Sequence, residues 1–208
     1  MSALPKLTVE AQMRRWGATV LAAIAVLAAT VMIAPAAADP TVGDVAPPLP
    51  AIVPMPSNWQ PMFPFPYDQT RSKVTDADIN AEREMCWWYN AQYHPLIDQM
   101  DDFDYNLAWR NGDYNVAGNS QLADALAANI DESVNYLAPR AQALTVIPDP
   151  AGDMYFPLYQ GESFYRLWQQ FSNVSAGIRG RQPSWFYGPS LQHARRWGSK
   201  IDHSHVCR

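Results

Sequence analysis

The sequence predicts an all-α protein, a compact bundle of four to five helices preceded by an extended proline-rich strap. From residue 75 onward, apolar residues recur at spacings of three and four, which is the helical period. No segment alternates between apolar and polar residues as a half-buried strand would. Nine prolines fall within residues 39–67, where they exclude helix interiors and sheet ladders. We therefore interpret residues 1–38 as a signal peptide, 39–67 as an extended segment and 68–208 as a helical domain.

Residues 1–38 have the pattern of an export signal. Arg14 and Arg15 precede the apolar run 18–33, and three alanines at 36–38 supply a small-residue cleavage site. The apolar run of 16 residues is shorter than the ~20 that a membrane-spanning helix needs. This favours cleavage after residue 38 over an uncleaved N-terminal anchor, and no membrane span is expected in the remaining chain.

The extended segment carries aromatic rings between its prolines: Trp59, Phe63, Phe65 and Tyr67. Such proline density favours polyproline II, which serves as a semi-rigid spacer. A spacer has no need of these rings, so we expect residues 59–67 to lie as a strap against the helical domain. The alternative is an exposed arm that offers its rings to a partner.

The first helix is expected to begin at Thr75, a good N-cap followed by Asp76 and Asp78 in the first turn. Pro95 then either kinks the chain or opens a second helix that ends at Asn111-Gly112. Apolar and aromatic residues share a face on each side of this proline: Ile79, Cys86, Tyr89 and Tyr93 before it, and Leu96, Met100, Phe103 and Leu107 after it.

Three more helices are predicted, over 120–138, 161–178 and 190–199. Pro139 is expected to kink or restart the first of these. Residues 147–152 should form a loop, and residues 182–189 an aromatic turn.

Charge is distributed unevenly along the chain. Residues 68–153 contain fifteen acidic and five basic side chains, whereas residues 154–208 contain two acidic and seven basic ones. The acidic domain argues against nucleic acid as a partner. The basic C-terminal part is expected either to dock on the acidic body or to form an ordinary solvated surface.

Cys86 and Cys207 are the two cysteines of the chain. An even number of cysteines in an exported chain favours a disulfide, which would tie the C-terminal tail to the first helix. The alternative is two free thiols, with Cys207 available to pair between chains.

Aromatic residues are abundant, with eight Trp, ten Tyr and seven Phe. Trp and Tyr bury a large area and keep a polar group, which suits protein interfaces, glycans and cofactor pockets. Adjacent helix residues point about 100° apart, so the run 86–89 cannot face one core, and Trp88 is expected to point outward unless the strap or a neighbouring helix covers it. The expected partner or ligand surface comprises Trp59, Phe63, Phe65, Trp87, Trp88, Trp185, Phe186 and Tyr187.

Two groups of histidines are weaker candidates for ligand binding. His203 and His205 beside Asp202 have the side chains of a transition-metal site, but a solvated tail is the simpler interpretation, and no metal site is assigned. His94 with Tyr89 or Tyr93 offers residue types that ligate haem. A capping or core histidine is more common, so no cofactor is assigned.

Asp98, Asp101, Asp102 and Asp104 form an acidic cluster. Asp98 and Asp102 lie one turn apart, where like-charge repulsion would raise a carboxyl pKa as acid–base catalysis requires. The sequence has no accompanying catalytic motif, such as a nucleophile elbow, a zinc-protease motif or a phosphate-binding loop. We favour a solvated acidic face, with weak calcium binding as an alternative.

The layout resembles small exported proteins of mycobacteria and related actinobacteria. The residues that carry the resemblance are the export signal, its junction at 32–40, the proline-rich start of the remaining chain and the lone pair Cys86 and Cys207. It covers mainly the first 67 residues. The resemblance implies a secreted or envelope location and transfers no active-site residue.

The favoured hypothesis is an exported, non-enzymatic helical protein that acts by contacts with an envelope or extracellular protein. The alternative is a carrier of a small ligand, such as haem, lipid or glycan, in an aromatic pocket. A helical enzyme that uses Asp98 and Asp102 is the third hypothesis.

These interpretations predict the mass of the protein in its own host. A native mass spectrum of protein recovered from the envelope and the culture medium should give the mass of residues 39–208, less two hydrogens for the disulfide. A mass that includes residues 1–38 would contradict cleavage. Alkylation of both cysteines without prior reduction would contradict the disulfide.

Overall fold

The computed structural model describes residues 46–61, 68–148, 153–182 and 188–208. Its helices are α1 (Asp76–Trp88), α2 (His94–Trp109), α3 (Asn119–Ala143), α4 (Gly161–Arg179) and α5 (Pro189–Ser204). A 3₁₀ turn, Asp68–Lys73, precedes α1. A short antiparallel pair, β1 (Ile147–Pro148) and β2 (Met154–Tyr155), lies between α3 and α4. The predicted all-α bundle is confirmed, while two-residue strands are too short to show the alternation by which a sequence reveals a strand. The predicted signal peptide lies outside the described residues.

α1 begins as the sequence predicts. The Thr75 hydroxyl accepts a hydrogen bond from the Asp78 amide at 3.2 Å, and the Asp78 carboxylate accepts one from the Thr75 amide at 2.7 Å. This reciprocal capping box satisfies two amides that the start of a helix leaves without partners.

Pro95 lies in the first turn of α2. It does not interrupt the continuous helical rod that α1 and α2 form together. A π-helical turn, Tyr89–Tyr93, joins α1 directly to α2. His94 keeps helical dihedrals, φ −65° and ψ −49°, although a residue before proline is biased away from them. The wider π turn lies just before the position where the proline N–H is missing from the hydrogen-bond ladder.

Pro139 also lies within a helix, in the last turns of α3. The chain therefore does not restart there, and α3 runs to Ala143 instead of the predicted residue 138. α3 and α5 both pack against α4, and α3 also packs against α1. The largest fully buried side chains include Trp88, Phe103, Phe164 and Phe171, together with the predicted α2 stripe of Leu96, Met100 and Leu107.

Cys86 and Cys207 form the predicted disulfide, with an S–S distance of 2.07 Å. They lie 121 residues apart, so the chain-entropy model gives a stabilisation of up to about 5 kcal/mol. α5 continues to Ser204, five residues beyond its predicted end, and Val206 is fully buried. His203 and His205 are exposed on this segment, as a solvated tail requires, but α5 and the disulfide fix its backbone.

Three basic residues of the C-terminal part pair with acids of the central part. Arg179 pairs with Asp131, Arg181 with Asp124 at 2.7 Å, and Arg195 with Asp101. Of the two predicted alternatives, docking of the basic part on the acidic body is the one observed. Each pair is partly exposed and contributes at most about 1 kcal/mol, so together they orient α4 and α5 more than they stabilise them.

α5 approaches the π turn closely at Gly198. The Tyr89 hydroxyl donates a hydrogen bond to the Gly198 carbonyl at 2.8 Å, and the Tyr89 and Tyr93 rings stack at 4.5 Å between centroids. A Cβ built on Gly198 would overlap the ring and hydroxyl of Tyr93. Only glycine fits this position without displacing the stacked pair.

Gly198→Ala should therefore destabilise the fold by about 2 kcal/mol or more, the typical cost of overpacking a core. Urea unfolding followed by circular dichroism measures the change. Gly161→Ala is the matched control, because a Cβ there would meet its neighbours at 3.4 Å or more, an ordinary contact. Equal stabilities of the two variants would contradict the close approach.

Candidate contact surface

One side of α2 presents two acids and two aromatic rings to solvent. Asp98, Asp102, Tyr105 and Trp109 follow one another at spacings of four, three and four, so they share a helical face. Tyr105 is 67% exposed and Trp109 is 74% exposed, and both acids are also exposed. We call these four residues the α2 face.

Tyr105 and Trp109 were not among the aromatic residues selected from the sequence. The signal that identifies them is their phase, because neither belongs to the buried stripe that contains Phe103 and Leu107. On an amphipathic helix, aromatic residues that fall outside the apolar stripe point to solvent. The helical period that predicts the buried stripe of α2 therefore also predicts that these two rings are exposed.

The four aspartates of the cluster have different environments. Asp101 pairs with Arg195, and burial raises the pKa of Asp104, against the opposing effect of Arg195. Asp98 and Asp102 form no hydrogen bond or ion pair within the described part of the chain. The α2 face thus has two carboxylates that are available to a partner. Both acids are exposed.

The composition of the α2 face matches basic side chains. An arginine guanidinium can stack on an aromatic ring and hydrogen-bond a carboxylate at the same time, and a lysine ammonium can contact both groups. Trp, Tyr and Arg dominate the binding energy of protein interfaces. The face is therefore suited to contact a basic protein segment.

Trp88 is not at the surface, and its predicted outward orientation is wrong. Its side chain is fully buried, and its ring meets Phe171 of α4 edge-on, with 5.8 Å between ring centroids. The stated alternative, coverage by a neighbouring helix, is what the structure shows. α1 is covered on more than one side, so a single apolar stripe cannot describe it.

The other predicted surface aromatics have mixed outcomes. Trp59 and Trp87 are half-buried, and Trp59 packs against the core. Phe63, Phe65, Trp185, Phe186 and Tyr187 lie outside the described residues. Their place at a partner surface stays a prediction.

Tyr89, Tyr93 and His94 lie together but are poorly arranged to hold haem. A haem-binding tyrosine acts as a phenolate, and burial raises the pKa of Tyr93 to about 12. Burial raises the pKa of Tyr89 further still, and its hydroxyl already donates to Gly198. The His94 ring packs edge-on against Tyr93 at 5.0 Å between centroids. Tyr89 and Tyr93 pack the π turn against α5, and the exposed His94 lies beside them.

His203 and His205 have local roles at the end of α5 that differ from metal ligation. His203 Nδ1 lies 2.7 Å from the Ser199 carbonyl, and His205 ends α5 with a left-handed φ of 57°. Over the described ranges, no three His, Cys, Asp or Glu residues are placed to hold a metal ion together.

His203 instead lines a groove of about 540 Å³ between β2, the start of α4 and the end of α5. Two tyrosines, Tyr155 and Tyr159, share this groove with the charged residues Glu162 and Lys200. Its mixture of rings and polar groups resembles the lining expected for a polar small molecule.

Asp78 and Glu82 of α1 are both fully buried, but their hydrogen bonding differs. Asp78 accepts hydrogen bonds from Thr75 and, across the bundle, from the Thr145 amide at 2.6 Å and hydroxyl at 3.0 Å. Glu82, one turn later, finds no hydrogen-bond partner for either carboxyl oxygen among the residues that the structure describes. Burial, reinforced by the Asp78 charge, raises the pKa of Glu82 well above its ordinary value of 4.5. Glu82 is therefore stable in the fold as a neutral acid.

The folded protein should therefore lose stability as the pH rises. In the unfolded chain Glu82 ionises near pH 4.5, whereas in the fold it stays protonated to higher pH, so proton loss increasingly favours unfolding above that value. Glu82→Gln should raise the melting temperature at pH 7–8 and leave it nearly unchanged at pH 4. Thermal unfolding of both proteins across this range tests the effect.

Glu84→Gln is the matched control on the same helix. Glu84 pairs with Arg140 at 2.7 Å, so its amide variant should gain no stability at neutral pH. A Glu82→Gln variant that is no more stable than the original protein at pH 8 would contradict the neutral buried acid.

Known proteins give no guide to the role of these features, since no protein-family model, curated protein or solved structure matches this chain. None of the helices in the described segments combines the length and the apolar character needed to cross a membrane. The α2 face and the groove beside His203 are the two candidate sites that the described residues offer.

Proposed function

We propose that this chain is an exported, non-enzymatic helical protein that binds an envelope or extracellular protein through the α2 face. The observation that carries the proposal is Trp109, which is 74% exposed and lies one turn from Tyr105, which is 67% exposed. Large aromatic side chains left in solvent are frequent anchors of protein interfaces. Asp98 and Asp102 on the same face give the contact a charge preference.

The partner should present arginine or lysine side chains. Asp98 and Asp102 have no basic partner within the described chain, whereas Asp101 beside them is already paired with Arg195. Residues 68–153 have a large acidic excess, which favours encounter with a basic surface. Binding should therefore weaken as salt screens these charges.

Two features support export. The disulfide between Cys86 and Cys207 is of a kind that persists in oxidising compartments outside the cytosol. The sequence pattern of residues 1–38 predicts a cleaved signal. Both fit a location in the cell envelope or the surrounding medium.

Replacing both exposed rings tests the contact surface. Tyr105→Ala with Trp109→Ala should weaken partner binding at least tenfold, because each anchor residue of an interface contributes more than about 1 kcal/mol. The melting temperature should change little, since both rings are exposed. The partner is first identified with a photo-crosslinking amino acid placed at position 109 in living host cells, and its affinity is then measured by calorimetry.

Two controls make the result specific. The same crosslinker at exposed Glu132 should not capture the protein that position 109 captures. Asp98→Asn with Asp102→Asn should reduce affinity and its salt dependence, whereas Glu132→Gln with Asp202→Asn removes the same charge elsewhere and should not. Identical capture at both positions, or undiminished affinity of the ring variant, would reject the proposal.

The groove beside His203 favours a second candidate function, that of a small-ligand carrier. Its open, mixed lining of Tyr155, Tyr159 and Lys200 suits a glycan better than haem or lipid. A mass adduct in protein from the host that disappears on Tyr155→Ala with Tyr159→Ala would favour this function over the first.

A further inference from the structure

The observed strap, residues 46–59, lies before the predicted one, of which the structure describes only residues 59–61. From Ala46 to Met55 it turns every third side chain toward the helices. Ala46, Leu49, Ile52 and Met55 are half-buried against the core. The residues between them are exposed, with Val53 at 71%. A repeat of three is that of the polyproline II helix, which the prolines of this segment favour. The strap therefore has one apolar edge, and that edge faces the bundle.

Side-chain amides of the helices hold the carbonyl groups of the strap. Gln99 of α2 and Asn129 of α3 both donate to the Pro47 carbonyl, at 2.9 and 2.8 Å. Gln92 of the π turn donates to the Pro50 carbonyl at 2.7 Å. These donors come from both sides, so the strap lies in the groove between α3 and the rod formed by α1, the π turn and α2.

The donors are themselves oriented by hydrogen bonds. Asn129 also donates to the Gln99 side-chain oxygen at 2.8 Å, and the Ser133 hydroxyl donates to the Gln92 side-chain oxygen at 3.4 Å. Gln92 and Ser133 are both buried. The groove therefore presents amide donors that are fixed by the helices around them.

The spacing of these donors matches the repeat of the strap. Three residues of polyproline II span about 9 Å, and the seven residues from Gln92 to Gln99 span about 10 Å of helix. Consecutive turns of the strap therefore place a carbonyl opposite each glutamine. Farther along, Arg83 donates to the Ser57 carbonyl at 2.8 Å, so the strap runs antiparallel to the rod.

We propose that this groove is a binding site for proline-rich segments, filled in this chain by its own residues 46–59 and able to accept the same residues from a second copy. Recognition of proline-rich segments exploits the preformed polyproline II helix. In this groove the contacts are an apolar edge repeated every three residues and carbonyls held by side-chain donors. The inference does not depend on the proposed function, because it uses Gln92, Gln99 and Asn129 in place of the α2 face.

A second copy is the occupant because every copy has both parts of the contact. The sequence that fits the groove is that of the strap itself, so two copies can exchange straps reciprocally and close a twofold dimer. In one chain, the tether gives the strap an effective concentration in the millimolar range. The internal contact should therefore dominate in dilute solution, and exchange should require release of the strap.

The first test uses full-length protein with a weakened strap. Leu49→Asp with Ile52→Asp places charges on the edge that faces the groove and should free it. A fluorescent synthetic peptide of residues 46–59 should bind this variant at least tenfold more tightly than it binds the original protein, whose groove is filled. A peptide with the same two substitutions is the matched control and should not bind.

The second test asks whether the strap of one copy reaches the groove of another. Gln99→Ala with Asn129→Ala weakens the groove of a copy whose strap is intact. Mixed with the strap variant, this copy should form a 1:1 complex in native mass spectrometry, while each variant alone stays monomeric. Peptide binding without such a complex would overturn the second copy as occupant, and failure of both would overturn the site.

A measurement on the unmodified protein decides the outcome if the strap variant does not fold. At millimolar concentration the unmodified protein should form strap-exchanged dimers, because straps of other copies then compete with the tethered strap. Small-angle X-ray scattering of concentrated and dilute samples measures the dimer, and a protein that stays monomeric over this range would overturn the proposal.

Discussion

The disulfide between Cys86 and Cys207 fixes the end of α5 on the first helical rod, and several other contacts depend on that position. It brings α5 across the π turn, where Gly198 allows the helix to rest on the stacked rings of Tyr89 and Tyr93. In the same orientation Arg195 reaches Asp101 on α2. The close approach at Gly198 and the disulfide therefore hold α5 in the same position. This packing therefore determines which carboxylate of α2 is paired with Arg195.

This packing divides the charges of the protein into internal and external groups. Arg179, Arg181 and Arg195 are used within the chain, on acids of α2 and α3. The carboxylates of Asp98 and Asp102 stay open, and they share their helical face with exposed rings. The surface offered by α2 is therefore more acidic than the balance of the whole sequence suggests, and the proposed partner contact relies on this local excess.

Helical spacing and capping residues were sufficient to predict the five α-helices, but not the ends of α3 and α5 or the short β1–β2 pair. The even number of cysteines correctly favoured the disulfide. Trp88 could not be placed in this way, because periodicity defines the faces of α1 but does not show that α4 covers a second one. The groove residues Gln92 and Gln99 could not be identified from the sequence either. A polar side chain gives no sign of which distant carbonyl it will bind. Tyr105 and Trp109, by contrast, were accessible to sequence reasoning through their phase on α2.

The first helical rod holds segments from both ends of the described chain, the strap along its groove and Cys207 at Cys86. Because 121 residues separate the two cysteines, bringing them together has a large loop-closure entropy cost. In a chain exported as proposed, the bridge cannot close until that entire stretch has crossed the membrane. Until then the chain lacks this covalent constraint, so the disulfide forms only in the compartment that receives the exported protein.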